Sequence, residues 1–204
     1  YEDYQRKPTI ENASEFISCV LEQNLDIAAT RKNYVDYLAH RPRVEKIGEH
    51  GLFTDEGEPV VLGQVQNQVA DHKGIVWTHV ISLRREDAAR LGYDSAVQWM
   101  ALLRSKRAML CKHMKIDSAN LKWYAAFHNE SHHPHVHLLV YSVKDGEGYL
   151  TKQSIEAMRS ELAHDIFRQD FANIYEEQAQ SRMDLKERSE VVMKTWIDEI
   201  RAVS

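Results

Sequence analysis

The sequence predicts an α+β fold: a central antiparallel sheet covered by helices, with a helical C-terminal region. Three features carry that prediction. Two apolar, β-branched and aromatic runs, Lys122–Phe127 and His135–Val143, flank the polar residues Asn129–Pro134 and read as a hairpin. Helical and strand patterns occupy segregated stretches in the order β-α-(α)-β-α-β-β-α, which suggests helices on one face of the sheet. At 204 residues, 43% hydrophobic and 28% charged, the chain suits one domain with a sizeable core.

Residues 1–13 are polar and aperiodic, a tail or appended remnant without the basic-then-apolar pattern of a signal segment. Glu15–Leu21 is a short apolar run suited to a strand. From Asp26 to His40 the apolar positions Ile27, Ala28, Tyr34, Val35 and Leu38 suit a helix that stops before Pro42. Tyr34 and Tyr37 are three apart and so are neighbours on its surface. Gly48, Gly51 and Asp55–Pro59 signal a loop. Leu62–His72 reads as a short helix, and Gly74 releases the β-branched strand Ile75–Leu83. Glu86–Leu91 is a short helix ended by Gly92. Ser95 with Gln98 forms a capping box for one long helix to about Met114. Its buried stripe is Ala96, Trp99, Met100, Leu103, Leu110 and Met114.

After the hairpin, Gly146 and Gly148 mark a turn, and Thr151 is the N-cap of a final helical region. Ile155, Met158, Leu162 and Ile166 form one apolar face there; Val192, Trp196, Ile200 and Val203 form another. The charged stretch Glu176–Glu190 between them reads as an exposed, protruding helix. The expected organisation is a tail over 1–13, an α+β domain over 14–150, and a helical region over 151–204 packed on or extending from it.

The bulk numbers exclude some classes. No run of eighteen apolar residues is present, so no membrane segment is expected. Cys19 and Cys111 are isolated, give no disulfide framework, and suit a reducing cytoplasm. The net charge of −5 counts against a broadly basic nucleic-acid binder. Much of that acidity lies in the tail, where residues 151–204 carry 8 basic and 11 acidic side chains. Basic clusters fall in the body, at Arg31–Lys32, Arg41–Arg43–Lys46, Arg84–Arg85 and Arg104–Lys106–Arg107, and charge runs of this kind often form solvated faces.

The chemistry concentrates in the hairpin. Five of the eleven histidines lie between His128 and His137. Side chains alternate along a strand, so His135 and His137 share a face about 6–7 Å apart. Folding the hairpin brings His128 opposite them. Three imidazoles then converge in a set suited to a divalent metal with positions left open for a substrate oxygen. A closed structural zinc is disfavoured because the cysteines are remote, and a cupin site because no Glu follows His137 at the short spacing. Such a metal needs a nucleophile. Glu130 would serve a water-using hydrolase, whereas Tyr34 or Tyr37 would serve a transesterase. Two tyrosines on an amphipathic helix are also ordinary packing residues.

The run His128-Asn-Glu-Ser-His-His-Pro-His135-Val-His137-Leu-Leu-Val resembles the third motif of the P-class mobilisation relaxases, within the His-hydrophobe-His single-strand endonucleases. Lys32-Asn-Tyr-Val-Asp-Tyr-Leu-Ala-His-Arg-Pro resembles their first motif, and Thr78-His-Val-Ile-Ser-Leu-Arg-Arg-Glu-Asp their second. The three occur in the family's order, with the nearest likeness to relaxases of integrative and mobilisable elements. The resemblance implies a relaxase/Rep-like fold in a bacterial cytoplasm. The implied reaction is nicking of one DNA strand at an origin of transfer, through a 5′-phosphotyrosyl intermediate.

It also implies roles for named residues. Tyr37 is the preferred nucleophile, with Tyr34 its competitor because it too precedes an aliphatic residue. His128, His135 and His137 would hold Mn²⁺ or Mg²⁺, with Zn²⁺, Co²⁺ or Ni²⁺ also suited to imidazole. Glu130 stands where the family has Asp and would orient a ligand. Ser82, Arg84 and Arg85 would contact DNA. The expected partners are single-stranded DNA with an adjoining duplex or hairpin, and accessory proteins of a relaxosome. Competing readings are a rolling-circle replication initiator of the same group, a metal-dependent DNA-binding module that cuts nothing, and a metallohydrolase with Glu130 as base.

Overall fold

The computed structural model describes residues 31–55 and 60–203. The expected strand at Glu15–Leu21 and the tail over 1–13 lie outside them. The chain forms two compact units, the first ending at Met158 and the second beginning at Arg159. Among the described residues the first unit is built on a four-stranded antiparallel sheet in the order β1-β3-β4-β2. Its strands are β1 (Leu52–Phe53), β2 (Val76–Ser82), β3 (Leu121–His128) and β4 (His135–Ser142). β3 and β4 are the predicted hairpin, paired from Leu121↔Ser142 to His128↔His135. All of β4, and all of β3 except Lys122, is buried.

Burial on both faces requires helices on both, which corrects the expectation of a single covered face. Helix α1 (Arg31–His40) and helix α2 (Leu62–Asp71) cover the first face. Val35, Leu38 and Ala39 of α1 and Val65 and Val69 of α2 form one core with Tyr124, Ala126, Leu139 and Tyr141. On the opposite face α4 (Ala96–Ser105) packs against β3, preceded in the chain by α3 (Arg85–Leu91) and followed by α5 (Arg107–Met114), which packs on α4. Trp99 of α4 stacks on Phe127 of β3 with centroids 6.1 Å apart. The two aromatic rings are both fully buried and anchor that side of the core.

The predicted long helix is two. It breaks at Lys106, whose backbone leaves the helical region at φ −94° and ψ 5°. The predicted stripe still faces inward, with Trp99, Leu103, Leu110 and Met114 buried. Ser95 sits at the N-cap in extended conformation but its hydroxyl makes no capping bond, so the expected capping box is absent. Gly92 closes α3 in the left-handed region at φ 77°, where a side chain would be strained.

Val44 bridges to His128, and Glu45 N–H donates to the Phe127 carbonyl at 2.9 Å, so the segment after α1 runs beside the end of β3. Gly51 makes this possible. A Cβ there would collide with Val44 Cγ2 and lie 3.2 Å from the Glu45 carbonyl oxygen.

Thr151 caps α6 (Lys152–Ile166) by accepting the Ser154 N–H at 3.1 Å, as its position predicts. Helix α7 runs from Arg168 to Val203, and its described side chains from Asn173 onward are exposed.

Candidate functional site

The antiparallel register dictates how the histidines meet. His128 and His135 are direct cross-strand partners, and His137 pairs with Ala126 on the same face. The small Ala126 leaves His137 room to turn towards His128. Ring centroids stand 5.2 Å apart for His128 and His135, 4.9 Å for His128 and His137, and 5.0 Å for His135 and His137. One nitrogen from each ring lies within 4.8 Å of the others, and all three residues are buried.

The donor chemistry fits a metal. Burial first, then the charges of His137, Arg41 and His135, hold the His128 imidazole far below the usual histidine range, so it is neutral. Neither of its buried ring nitrogens is in hydrogen-bonding geometry with any described group, although the Leu38 carbonyl acts on the ring's charge. A buried imidazole in that condition carries a desolvation penalty that a bound cation would offset. His135 Nδ1 lies 2.9 Å from the His133 carbonyl oxygen, and a carbonyl only accepts. Nδ1 therefore carries the proton, and the Nε2 lone pair is left for a ligand role.

Two residues that sequence reasoning left among surface charges complete the site. Arg41, the first residue after α1, is 5% exposed. Its Nη1 lies 3.4 Å from His135 Nε2 and 3.2 Å from His137 Nε2, and its Nη2 donates to Glu130 Oε1 at 3.3 Å. Arg43 Nη1 donates to the other carboxylate oxygen, Oε2, at 3.2 Å. Glu130, 4% exposed, is thus held between two guanidiniums. Arg43 adopts φ 65°, an uncommon left-handed backbone for a non-glycine residue, and its carbonyl accepts the Asn129 N–H at 2.9 Å. The available signal was spacing: Arg41 is one helical turn beyond Tyr37, and Pro42 stops the helix there.

The guanidinium carbon of Arg41 stands 5.9 Å from the centre of the Tyr37 ring. Tyr37 is therefore joined to the histidines through one side chain. Tyr34, one turn earlier, packs with Tyr37 against the core under α1 and α2.

The second predicted motif lies at the same end of the sheet. Ser82 is exposed and pairs directly with His135, on the histidine face. Arg84 is exposed just beyond it. Arg85 turns back on the hairpin loop: its Nε donates to the Ser131 carbonyl at 3.2 Å, and its Nη2 to Asn129 Oδ1 at 2.7 Å and to the Glu130 carbonyl. The main chain adds Leu83 N–H to the Pro134 carbonyl and Arg85 N–H to the His132 carbonyl, both at 3.1 Å. The loop carrying Glu130 is thereby tied to the end of β2.

Among the described residues no helix is long and apolar enough to cross a membrane. A family model described as MobL relaxases matches residues 1–202. No curated protein and no solved structure matches the chain.

Proposed function

Because the chain belongs to the MobL relaxases, we propose that it nicks one DNA strand at an origin of transfer by tyrosine transesterification assisted by a divalent metal. The observation that supports this reading is the run of contacts from His135 and His137 through Arg41 to the ring of Tyr37. His128, His135 and His137 would hold the ion, Mn²⁺ or Mg²⁺ in the first instance, with Zn²⁺, Co²⁺ and Ni²⁺ also compatible with imidazole. Bound there, a divalent cation would draw charge from the non-bridging oxygens of a phosphodiester.

Tyr37 is the nucleophile in this reading and Tyr34 its competitor. The Tyr37 oxygen bonds to phosphorus as the P–O3′ bond breaks; the phenol proton passes to solvent, and the departing 3′ oxygen takes one up. One ester replaces another, so the 5′-phosphotyrosyl product can be reversed by the 3′-hydroxyl without a nucleotide. Glu130, already bonded to two arginines, suits an orienting role better than that of a base for water. Ser82, Arg84 and Arg85 would line the approach of the single strand, with Arg85 also bracing the loop. Specificity would come from the adjoining duplex or hairpin and from accessory proteins.

The test is incubation of wild type, Tyr37→Phe and Tyr34→Phe with Mn²⁺ and a supercoiled plasmid carrying the origin of transfer. The expected result is a covalent protein–DNA adduct that Tyr37→Phe abolishes and Tyr34→Phe retains. Cleavage without an adduct in all three would establish a water-using hydrolase instead, and DNA binding without cleavage a non-catalytic module.

A further inference from the structure

The position of Arg41 has a chemical consequence for metal loading. A guanidinium has five N–H donors, no acceptor, and keeps its charge at any ordinary pH. Nη1 can therefore approach His135 Nε2 and His137 Nε2 only where those nitrogens present lone pairs. For His135 that tautomer is set independently by the bond from Nδ1 to the His133 carbonyl. A lone pair that accepts a hydrogen bond is not available to a metal at the same moment. A lysine or histidine in this position could yield by losing its proton; arginine can yield only by moving.

From these contacts we infer that Arg41 competes with the divalent cation for the lone pairs of His135 and His137, and that Glu130 holds the guanidinium when the cation takes them. The inference rests on the reading of the three histidines as a metal centre. The second position already has its contacts. Nη2 is bonded to Glu130 Oε1 at 3.3 Å, an anchor about which the guanidinium can turn away from the imidazoles. The Tyr37 ring offers an aromatic face 5.9 Å from the guanidinium carbon. The side chains of Arg41 and Glu130 are 3% and 5% exposed, so the exchange takes place within the protein rather than by release to solvent. Glu130 is thus a positioning residue for Arg41. Arg43, on the other carboxylate oxygen with its side chain 23% exposed, keeps that carboxylate in place.

The test is calorimetric titration of purified protein with Mn²⁺ alone, in the absence of DNA, on wild type, Arg41→Gln, Arg43→Gln, Glu130→Gln and the Arg41→Gln/Glu130→Gln double variant. Thermal melts accompany each titration, and Arg41→Lys stands in if Arg41→Gln fails to fold. Arg41→Gln is expected to tighten Mn²⁺ binding on the order of tenfold, Arg43→Gln to change it much less, and Glu130→Gln to weaken it. In the Arg41→Gln background the Glu130→Gln effect should largely vanish, because the carboxylate acts through Arg41. Unchanged or weaker binding in Arg41→Gln, while wild type still takes up Mn²⁺, overturns the inference and leaves the metal centre standing. Equal tightening in Arg41→Gln and Arg43→Gln overturns it in favour of a simple charge effect. Absence of Mn²⁺ binding in wild type and Arg41→Gln alike overturns the metal centre and this inference together. The titration is independent of the tyrosine step, whose failure appears only in the adduct assay.

Discussion

His128 and His135 face each other across the β3–β4 pair with their rings stacked at 17°, centroids 5.2 Å apart. Each ring is fixed by the strand that carries it, so neither can be replaced by a neighbour. Replacing any one of His128, His135 or His137 by Ala should weaken Mn²⁺ binding by about a hundredfold. The rise in melting temperature expected when Mn²⁺ is added to the wild type should shrink accordingly. Titration calorimetry and thermal melts with and without a chelator measure both. Full retention of binding in His128→Ala would remove that residue from the ligand set.

The buried His128 also sets a pH dependence. Its imidazole is held far below the usual range, chiefly by burial and secondarily by His137, Arg41 and His135. In the unfolded chain it titrates near 6.5. Below that pH the unfolded state binds a proton that the folded state refuses, so stability falls as pH falls. The contribution is fully present above about 6.5 and lost progressively beneath it, by at most ~1.4 kcal/mol per pH unit for this one group. Urea unfolding at pH 7.5 and 5.0 should show a steeper loss in wild type than in His128→Gln. Parallel curves would contradict the assignment.

Arg85 braces the hairpin loop through Ser131, Asn129 and Glu130. Arg85→Ala should lower stability by about 1–3 kcal/mol and, by loosening Glu130, slow adduct formation. Arg85→Lys keeps the charge but not the fork, so it should resemble Ala. Wild-type adduct formation in Arg85→Lys would indicate that the residue serves DNA phosphates alone.

Gly51→Ala would drive its Cβ into Val44, a stiff β-branched side chain at the segment that bridges to His128. The expected cost is about 1–3 kcal/mol. Combining it with Val44→Ala should recover part of that loss, because the deleted methyls are those in collision. Denaturant unfolding of the single and double variants measures the coupling.

The hairpin and its histidine cluster were legible because both depend on local rules, alternation along each strand and a short polar turn. The helices expected over Leu62–His72 and Glu86–Leu91 are found over Leu62–Asp71 and Arg85–Leu91, the second ended by Gly92 as its sequence indicates. What escaped was non-local. Arg41 and Arg43 look like any basic pair after a helix, and their burial is decided by pairing of residues 43–45 with the far end of β3. The two-residue strand β1 is too short to carry a pattern, and its place beside β3 comes from the register Leu52↔Ala126. The second covered face was hidden because the periods of α4 and α5 say that they bury a stripe without saying which side of the sheet receives it.

Arg41 and Glu130 are 89 positions apart in the chain. A ribosome must therefore extrude nearly the whole sheet before the guanidinium can meet its carboxylate, and long-range closures of this sort slow folding. Until then the nascent polypeptide carries Tyr37 and Arg41 without the three imidazoles that the β3–β4 hairpin later gathers beside them.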